Sequence, residues 1–517
     1  MTKPVRLGLH VLAGLAIAGG GGILYGLAFP PYDLARFAWV ALVPLLLAVR
    51  RRSSAGAFLL GTAYGTACAA TVGVWFIPTI ARFLDMPPAV AVLLGVLYMV
   101  VFWGSAFGLF AAGAAYLLEF DRPVRAVFAT AALWVATEFL RGRVLGHPWG
   151  LLGYTQHAQL PLIQMASVTA VYGVSFLVAL VNATIAEAIS LWWTGRRPLE
   201  ALRPLSAAAA VTATLWIVGA HVGPEAAGEQ LVAIVQTNVP PARQWTRAYT
   251  DRQITAHVSM TDGAVPARGA ALIVWPENSV PRYLEVEPGL AAILGSVARR
   301  HDGDLLFGAP RYEDGHSFNS VRLLTPAGRN GGYYDKQELV LVAEANPLRS
   351  AQASGPEEQP SQFTAGRGPG VLRGFVPLGV SVCQEIMFPE IFARAVGAGA
   401  ELLVNVANDG WLDPETGVAS RQLFAMGAFR AVETRRWLVR AATTGVSGVF
   451  DPSGRVVDSL PSGTADVLLT RVEGRTATTP YARIGDVFAL GCVGVAANAL
   501  VRRRTRRRLK VALARAS

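Results

Sequence analysis

Val380-Ser381-Val382-Cys383-Gln384-Glu385 decides the reading of this chain. An apolar run suited to a buried strand stops at a cysteine, and a helix-forming stretch follows. Active-site residues gather at strand ends because the loops there vary over a rigid sheet. A helix N-terminus at the same point adds partial positive charge, which favours thiolate. The other two cysteines, Cys68 and Cys492, lie in long apolar runs and read as small apolar residues. Cys383 is thus an unpaired thiol in polar sequence, the kind to be treated as reactive.

Working outward, the same polar region contains one lysine. Only three of the 46 basic residues are lysines: Lys3 and Lys510 near the ends, and Lys336 in Tyr334-Asp335-Lys336-Gln337. A compact, titratable ammonium can tune a reacting centre as arginine cannot. Glu277 follows another apolar strand in Val274-Trp275-Pro276-Glu277-Asn278-Ser279. A free thiol, with a pKa of about 8.5, is mostly protonated at neutral pH. Glu277 is therefore expected to take the proton, and Lys336 to stabilise the thiolate and then the oxyanion of an attacked carbonyl. Singly, the three also read as a solvated carboxylate, a core filler and a surface charge; together they read as a nucleophilic site.

The surrounding sequence, from Gln230 on, alternates short β-rich runs with amphipathic segments, the pattern of an α/β layered domain. Strands are expected at 231–235, 271–275, 305–308, 376–383, 402–406 and 438–443, and helices at 249–262, 289–300, 389–398 and 420–434. Pro, Gly, Ser and Gln crowd 346–370, which reads as a long loop.

The rest is far more apolar. The 517 residues are 52% hydrophobic and 16% charged, with a mean hydropathy of +0.39. A span across about 30 Å of hydrocarbon takes about 20 apolar residues. Candidate runs are Leu7 to Phe29, Leu34 to Val49, Ala57 to Pro78, Ala89 to Leu118, Ala126 to Leu140, Leu162 to Trp193, Leu205 to Val222 and Ile484 to Val501, about eight in all. The first reads as a retained anchor, since apolar sequence continues past Ala16-Ile17-Ala18. The expected organisation is a transmembrane domain at 1–222, an exported catalytic domain at 223–483, a last span at 484–501 and a basic tail at 502–517.

Lys3 and Arg6, Arg50 to Arg52, Arg122 and Arg125, then Arg196, Arg197 and Arg203 fall in alternate connections. The positive-inside rule puts these and both termini in the cytoplasm and the polar domain outside. The formal net charge of +11 is explained by this topology signal and by attraction to anionic lipid, so nucleic acid is not an expected partner. No metal cluster or phosphate-cradling glycine loop is apparent, and no cofactor is implied.

Glu, Lys and Cys in this order, within Trp-Pro-Glu, Asp-Lys and Cys-x-Glu, resemble the nitrilase or carbon-nitrogen hydrolase superfamily. With the flanking spans, nearly the whole chain resembles its membrane-embedded branch, the apolipoprotein N-acyltransferases of the bacterial inner membrane. The resemblance implies an αββα sandwich joined to a polytopic α-helical membrane domain. It implies Glu277 as general base, Lys336 as oxyanion-stabilising cation and Cys383 as nucleophile, supported by Glu344 and Glu385. Three carboxylates around Lys336 would keep its ammonium charged. Trp245 resembles an aromatic in a loop over the site, and Asn405, Asn408, Asp409 and Trp411 resemble the stretch behind the nucleophile. The chain departs from the family at Leu341-Val342-Ala343, where Pro-Phe-Gly is usual, at Gln384 for a tyrosine and at Trp437 for a proline.

The implied reaction passes an acyl group from a phospholipid to Cys383 and then to the amine of a diacylglyceryl apolipoprotein. A loop from Glu138 to Tyr154, with Arg141, Arg143, His147 and Trp149, is expected to face outward and pair with phosphate, or simply to anchor at the interface. Two alternatives stand beside this: a membrane-tethered amidase or hydrolase, and a non-catalytic lipoprotein-binding protein.

Overall fold

The computed structural model describes residues 3–118, 123–195, 198–223, 226, 228–242, 244–341, 343–345, 360, 362–413 and 415–516. The chain forms two compact units, residues 1–222 with 486–517, and residues 223–485.

The first unit is helical. Among the described residues, five helices are long and apolar enough to cross a membrane: Ser54–Val72, Pro88–Leu117, Pro123–Val144, Ala166–Trp193 and Arg203–Ala220. The first helix runs Lys3–Leu27, 25 residues, with its apolar part at Val11–Leu27, and Ala35–Ala48 is a shorter apolar stretch. The run at 34–49 breaks into a 3-10 turn, Ala35–Trp39, and a six-residue helix, Val43–Ala48, which Pro44 restarts at its first turn. The run at 57–78 divides after Val72, where Gly73 caps the helix, and resumes as Phe76–Leu84. The helix expected to end at Leu140 continues to Val144, into the expected loop. The closing helix, Val487–Ala516, runs unbroken through the expected basic tail. Arg122, Arg196 and Arg197 lie outside the described residues.

Small residues let these helices approach closely, since packing drives association where lipid is as apolar as protein. A Cβ on Gly61 would lie 2.3 Å from the Phe107 carbonyl oxygen. Beside that contact Tyr25, Tyr64, Phe107 and Trp134 form a buried aromatic cluster.

The second unit stacks two six-stranded sheets. Its strands are β1 (Gln230–Gln236), β2 (Ala270–Val274), β3 (Asp304–Glu313), β4 (His316–Leu324), β5 (Asn330–Asp335), β6 (Val371–Arg373), β7 (Pro377–Val382), β8 (Leu402–Ala407), β9 (Leu438–Ala442), β10 (Ser447–Phe450), β11 (Val456–Leu460) and β12 (Asp466–Val472). The orders are β12-β1-β2-β3-β4-β5 and β11-β10-β9-β8-β7-β6. β1-β2-β3 and β7-β8-β9 are parallel, while the outer strands pair antiparallel. Parallel strands covered on both faces need apolar side chains throughout, and Leu402-Leu403-Val404 and Leu272-Ile273-Val274 supply them.

One core lies between the sheets, built from residues such as Ile234, Val274, Val380, Val404 and Val439. A second packs β1–β3 against helices Arg247–Ala264 and Pro288–His301 through Ile254, Leu290, Leu294 and Val297. Helices Pro389–Gly397 and Val418–Thr434 pack on β7, β9 and β10, giving α, β, β and α layers.

Candidate active site

The carboxyl ends of β2 and β7, which are parallel strands, and of the antiparallel β5 deliver the polar residues. Glu277 follows β2, where its chain crosses so near β3 that only glycine fits opposite. A Cβ on Gly308 would stand 2.5 Å from the Asn278 nitrogen and 2.6 Å from Glu277 Cα. Lys336 follows β5, directly across from Asn319 of β4, whose carbonyl accepts the Lys336 N–H at 2.8 Å. Cys383 ends β7 and opens the 3-10 turn Cys383–Met387, at a φ of 54°. That left-handed conformation is strained in a non-glycine residue and persists only where surroundings over-determine it.

Lys336 is 1% exposed and Glu277 4%. The ammonium donates to Glu344 Oε1 at 2.9 Å and lies 3.4 Å from Glu277 Oε1. Asn319 Nδ2 donates to both carboxylates, at 2.7 Å each. The Asn408 N–H, from the far sheet, holds Glu277 Oε2 at 2.8 Å, and the Val340 N–H holds Glu344 Oε2 at 2.8 Å. Burial works to lower the pKa of Lys336, but Glu277, Glu344 and the Cys383 thiol outweigh it and hold the ammonium well above its ordinary value. It therefore stays charged.

For Cys383 the balance reverses. Burial first, then the Glu277 charge, push the thiol well above its usual pKa, and Lys336 opposes them without prevailing. Burial thus opposes the help toward thiolate expected from the helix N-terminus, and the thiol rests protonated as a free thiol would. The turn is one short 3-10 segment, too small to offset desolvation. A base is then needed, and Glu277 and Lys336 both act on the thiol electrostatically.

Glu385, the third expected carboxylate, feels the Lys336 charge, but its hydrogen bonds come from other groups. Its Oε1 accepts from Tyr334 at 2.9 Å, Gln337 N–H at 2.6 Å and Glu338 N–H at 3.1 Å, and its Oε2 accepts from the Val382 N–H at 2.6 Å. It ties the strand before Cys383 to the segment after Lys336. Burial pushes its carboxyl up to about 7 against these donors. The folded state thus binds this proton more tightly than the unfolded chain, whose glutamate titrates near 4.3. Its contribution is most favourable below about pH 4.3, is lost as pH rises through about 7, and is constant above. Glu385→Gln is expected to remove this fall, on the order of 3 kcal/mol, and thermal melts of the full chain from pH 5 to 8 would show a flatter profile than wild type.

Asn319 was not anticipated from sequence. The available signal was an amide inside a strand, Ser317-Phe318-Asn319-Ser320, where Asn is disfavoured unless it has partners. Trp245 and Trp411 are half-buried, and the ion-paired cluster is made without them. Gln384 donates to the Glu338 carbonyl at 3.1 Å, Leu341 is exposed and Trp437 is buried beneath β8. In the helical unit Arg141 is 2% exposed, stacked 4.4 Å over Trp103, and its guanidinium nitrogens have no hydrogen-bond acceptor among the described residues. Arg143 pairs with Asp486. Residues 346–359 and 361 of the expected loop lie outside the described residues.

Fold and site together define a carbon-nitrogen hydrolase domain carried between apolar helices. Residues 231–481 match the carbon-nitrogen hydrolase family and residues 21–184 the apolipoprotein N-acyltransferase N-terminal domain. The chain is 34% identical over 498 residues to an apolipoprotein N-acyltransferase of Geobacter metallireducens, covering 92% of each. It is 32% identical over 506 residues to one from Methylococcus capsulatus, covering 95% of this chain and 96% of that one. A relative named the same way in Pseudomonas aeruginosa is 31% identical over 507 residues, covering 93% of this chain and 94% of the other. The chain belongs to the apolipoprotein N-acyltransferase family.

Proposed function

We propose that this protein transfers an acyl chain from a phospholipid to the α-amine of the S-diacylglyceryl cysteine at a lipoprotein N-terminus. The observation that carries this is a Glu277–Lys336–Glu344 ion-pair cluster, with Glu277 and Lys336 buried, acting on the Cys383 thiol, in a chain whose relatives bear the same name over nine-tenths of its length.

Glu277 takes the thiol proton as Cys383 Sγ attacks the ester carbonyl carbon, and Lys336 stabilises the oxyanion. The tetrahedral centre collapses, the glycerol oxygen leaves and accepts the proton from Glu277, and the acyl group remains as a thioester. The lipoprotein amine then attacks that carbon, Glu277 takes its proton, and the Cys383 thiolate departs and is reprotonated. Asn319 and Glu344 orient the lysine and the base throughout. No cofactor enters the scheme.

Both substrates are lipids, and each CH₂ brought into water costs about 0.8 kcal/mol. A membrane-seated chain avoids that cost. The apolar helices span the bacterial inner membrane with both termini in the cytoplasm and the catalytic domain on the outer face, a topology that the arginine distribution supports. Arg141, buried without an acceptor of its own, pairs with the phospholipid phosphate.

The test is product analysis with acyl-labelled phospholipid, with and without a diacylglyceryl-cysteine peptide. Labelled amide in the peptide's presence, and a labelled acyl adduct on Cys383 in its absence, are expected. Free fatty acid alone in both tubes would identify a hydrolase instead.

A further inference from the structure

Beneath Cys383 the second sheet buries a cation that acyl transfer as written does not use. Arg440, in β9, is fully buried. Its Nη1 donates to Asn405 Oδ1, and its Nη2 reaches both oxygens of Asp409, at 3.0 and 2.8 Å. Strand register explains the first contact. Asn405 of β8 stands opposite Arg440 on one side and opposite Ser381 of β7 on the other, so the three side chains form one row across adjacent strands. The row continues to the nucleophile: Asn405 Nδ2 donates to Ser381 Oγ at 3.0 Å and to the main-chain carbonyl of Cys383 at 3.4 Å.

Asp409 is held as firmly. It accepts from Ser420 Oγ at 2.6 Å, and that hydroxyl accepts from the Val446 N–H at 2.7 Å. A Cβ on Gly445 would lie 2.2 Å from Asp409 Oδ2, so the backbone is closed against the carboxylate.

We infer that Arg440 is a positioning residue for the nucleophile: it holds Asn405 against the Cys383 carbonyl, fixing the left-handed cysteine, and it cancels the Asp409 charge beneath the site. The charged groups acting on the thiol are Glu277 after β2, Lys336 and Glu344 after β5, and Asp409 after β8. Lys336 is paired with Glu277 and Glu344, whereas Asp409 is paired with Arg440. An uncompensated Asp409 would disfavour the thiolate, since a like charge nearby raises a thiol's pKa. This deepens the proposed reaction, yet it is read on the thiol itself, so its failure leaves acyl transfer standing and the reverse also holds.

The experiment is iodoacetamide alkylation of the full-length protein from pH 6 to 10, scored on the Cys383 peptide by mass spectrometry. Arg440→Met is expected to move the midpoint up by about one unit, read as roughly tenfold slower alkylation at every pH below it. Asp409→Asn, which leaves Arg440 unopposed, should move it down. The double variant should return close to wild type, and Arg440→Lys should lie between wild type and Arg440→Met. A profile for Arg440→Met that superimposes on wild type overturns the inference, as does a shift that Asp409→Asn fails to cancel. If Arg440→Met does not fold, Arg440→Lys decides: a profile that superimposes on wild type, with Asp409→Asn shifting it no differently in either background, overturns the inference, and slower alkylation that Asp409→Asn cancels supports it.

Discussion

Cys383→Ser is expected to lower N-acyl transfer by at least about 10³-fold and to abolish the acyl adduct at position 383. The hydroxyl retains the left-handed backbone and nearly the side-chain volume. It does not retain acidity: a buried serine has no accessible anion for Glu277 to generate, and an oxygen ester lacks the reactivity toward amines that a thioester has. Label transfer from phospholipid to a diacylglyceryl-cysteine peptide, with melting recorded on the same preparation, separates chemistry from folding. Transfer above about a tenth of wild type in a folded Cys383→Ser protein would remove Cys383 as the nucleophile.

Lys336→Met should damage both stability and chemistry. Glu277 is buried, Glu344 is partly buried, and the two share this one ammonium. Deleting it leaves two carboxylates facing each other across Asn319 Nδ2, the kind of uncompensated charge that costs about 3–5 kcal/mol. Loss of an oxyanion donor adds about 10²–10³ in rate. Lys336→Met with Glu344→Gln removes one of the stranded charges, so denaturant melts of the pair should recover much of the stability while transfer stays lost. Lys336→Arg should not rescue, because a planar guanidinium needs room for five donors that this pocket, filled by Asn319 and two carboxylates, does not leave. Recovery of transfer in the paired variant would show that Lys336 is only a structural counter-charge.

How far the fold was legible depended on the type of element. β2, β7, β8 and β9 lie in buried parallel ladders and read as plain apolar runs, so their expected bounds fall close to the observed ones. β4 and β5 went unseen. His316-Ser317-Phe318-Asn319 and Asn330-Gly331-Gly332 have little intrinsic preference for strand, and their conformation comes from pairing with β3 and with each other. Those two unseen strands present Asn319 and Lys336, so the lysine stood out by its rarity and gained a position only once the hairpin formed. Among the apolar runs, length served for five helices but failed at 34–49, where Pro44 interrupts an otherwise suitable segment.

Residue types and their order in the chain determined the chemistry: a thiol, a carboxylate and a lone lysine, each bordering an apolar strand, within flanks too hydrophobic for a soluble protein. Covalent identity is local, and sequence carries it in full. Charge state is collective, and only tertiary structure decided it. Desolvation raised the Cys383 thiol further, two carboxylates kept Lys336 charged against burial, and backbone N–H groups tied Glu385 to the strand before Cys383. Each outcome depends on distances between residues far apart in sequence, and so does the row from Arg440 through Asn405 to the cysteine, which exists only because β7, β8 and β9 lie side by side.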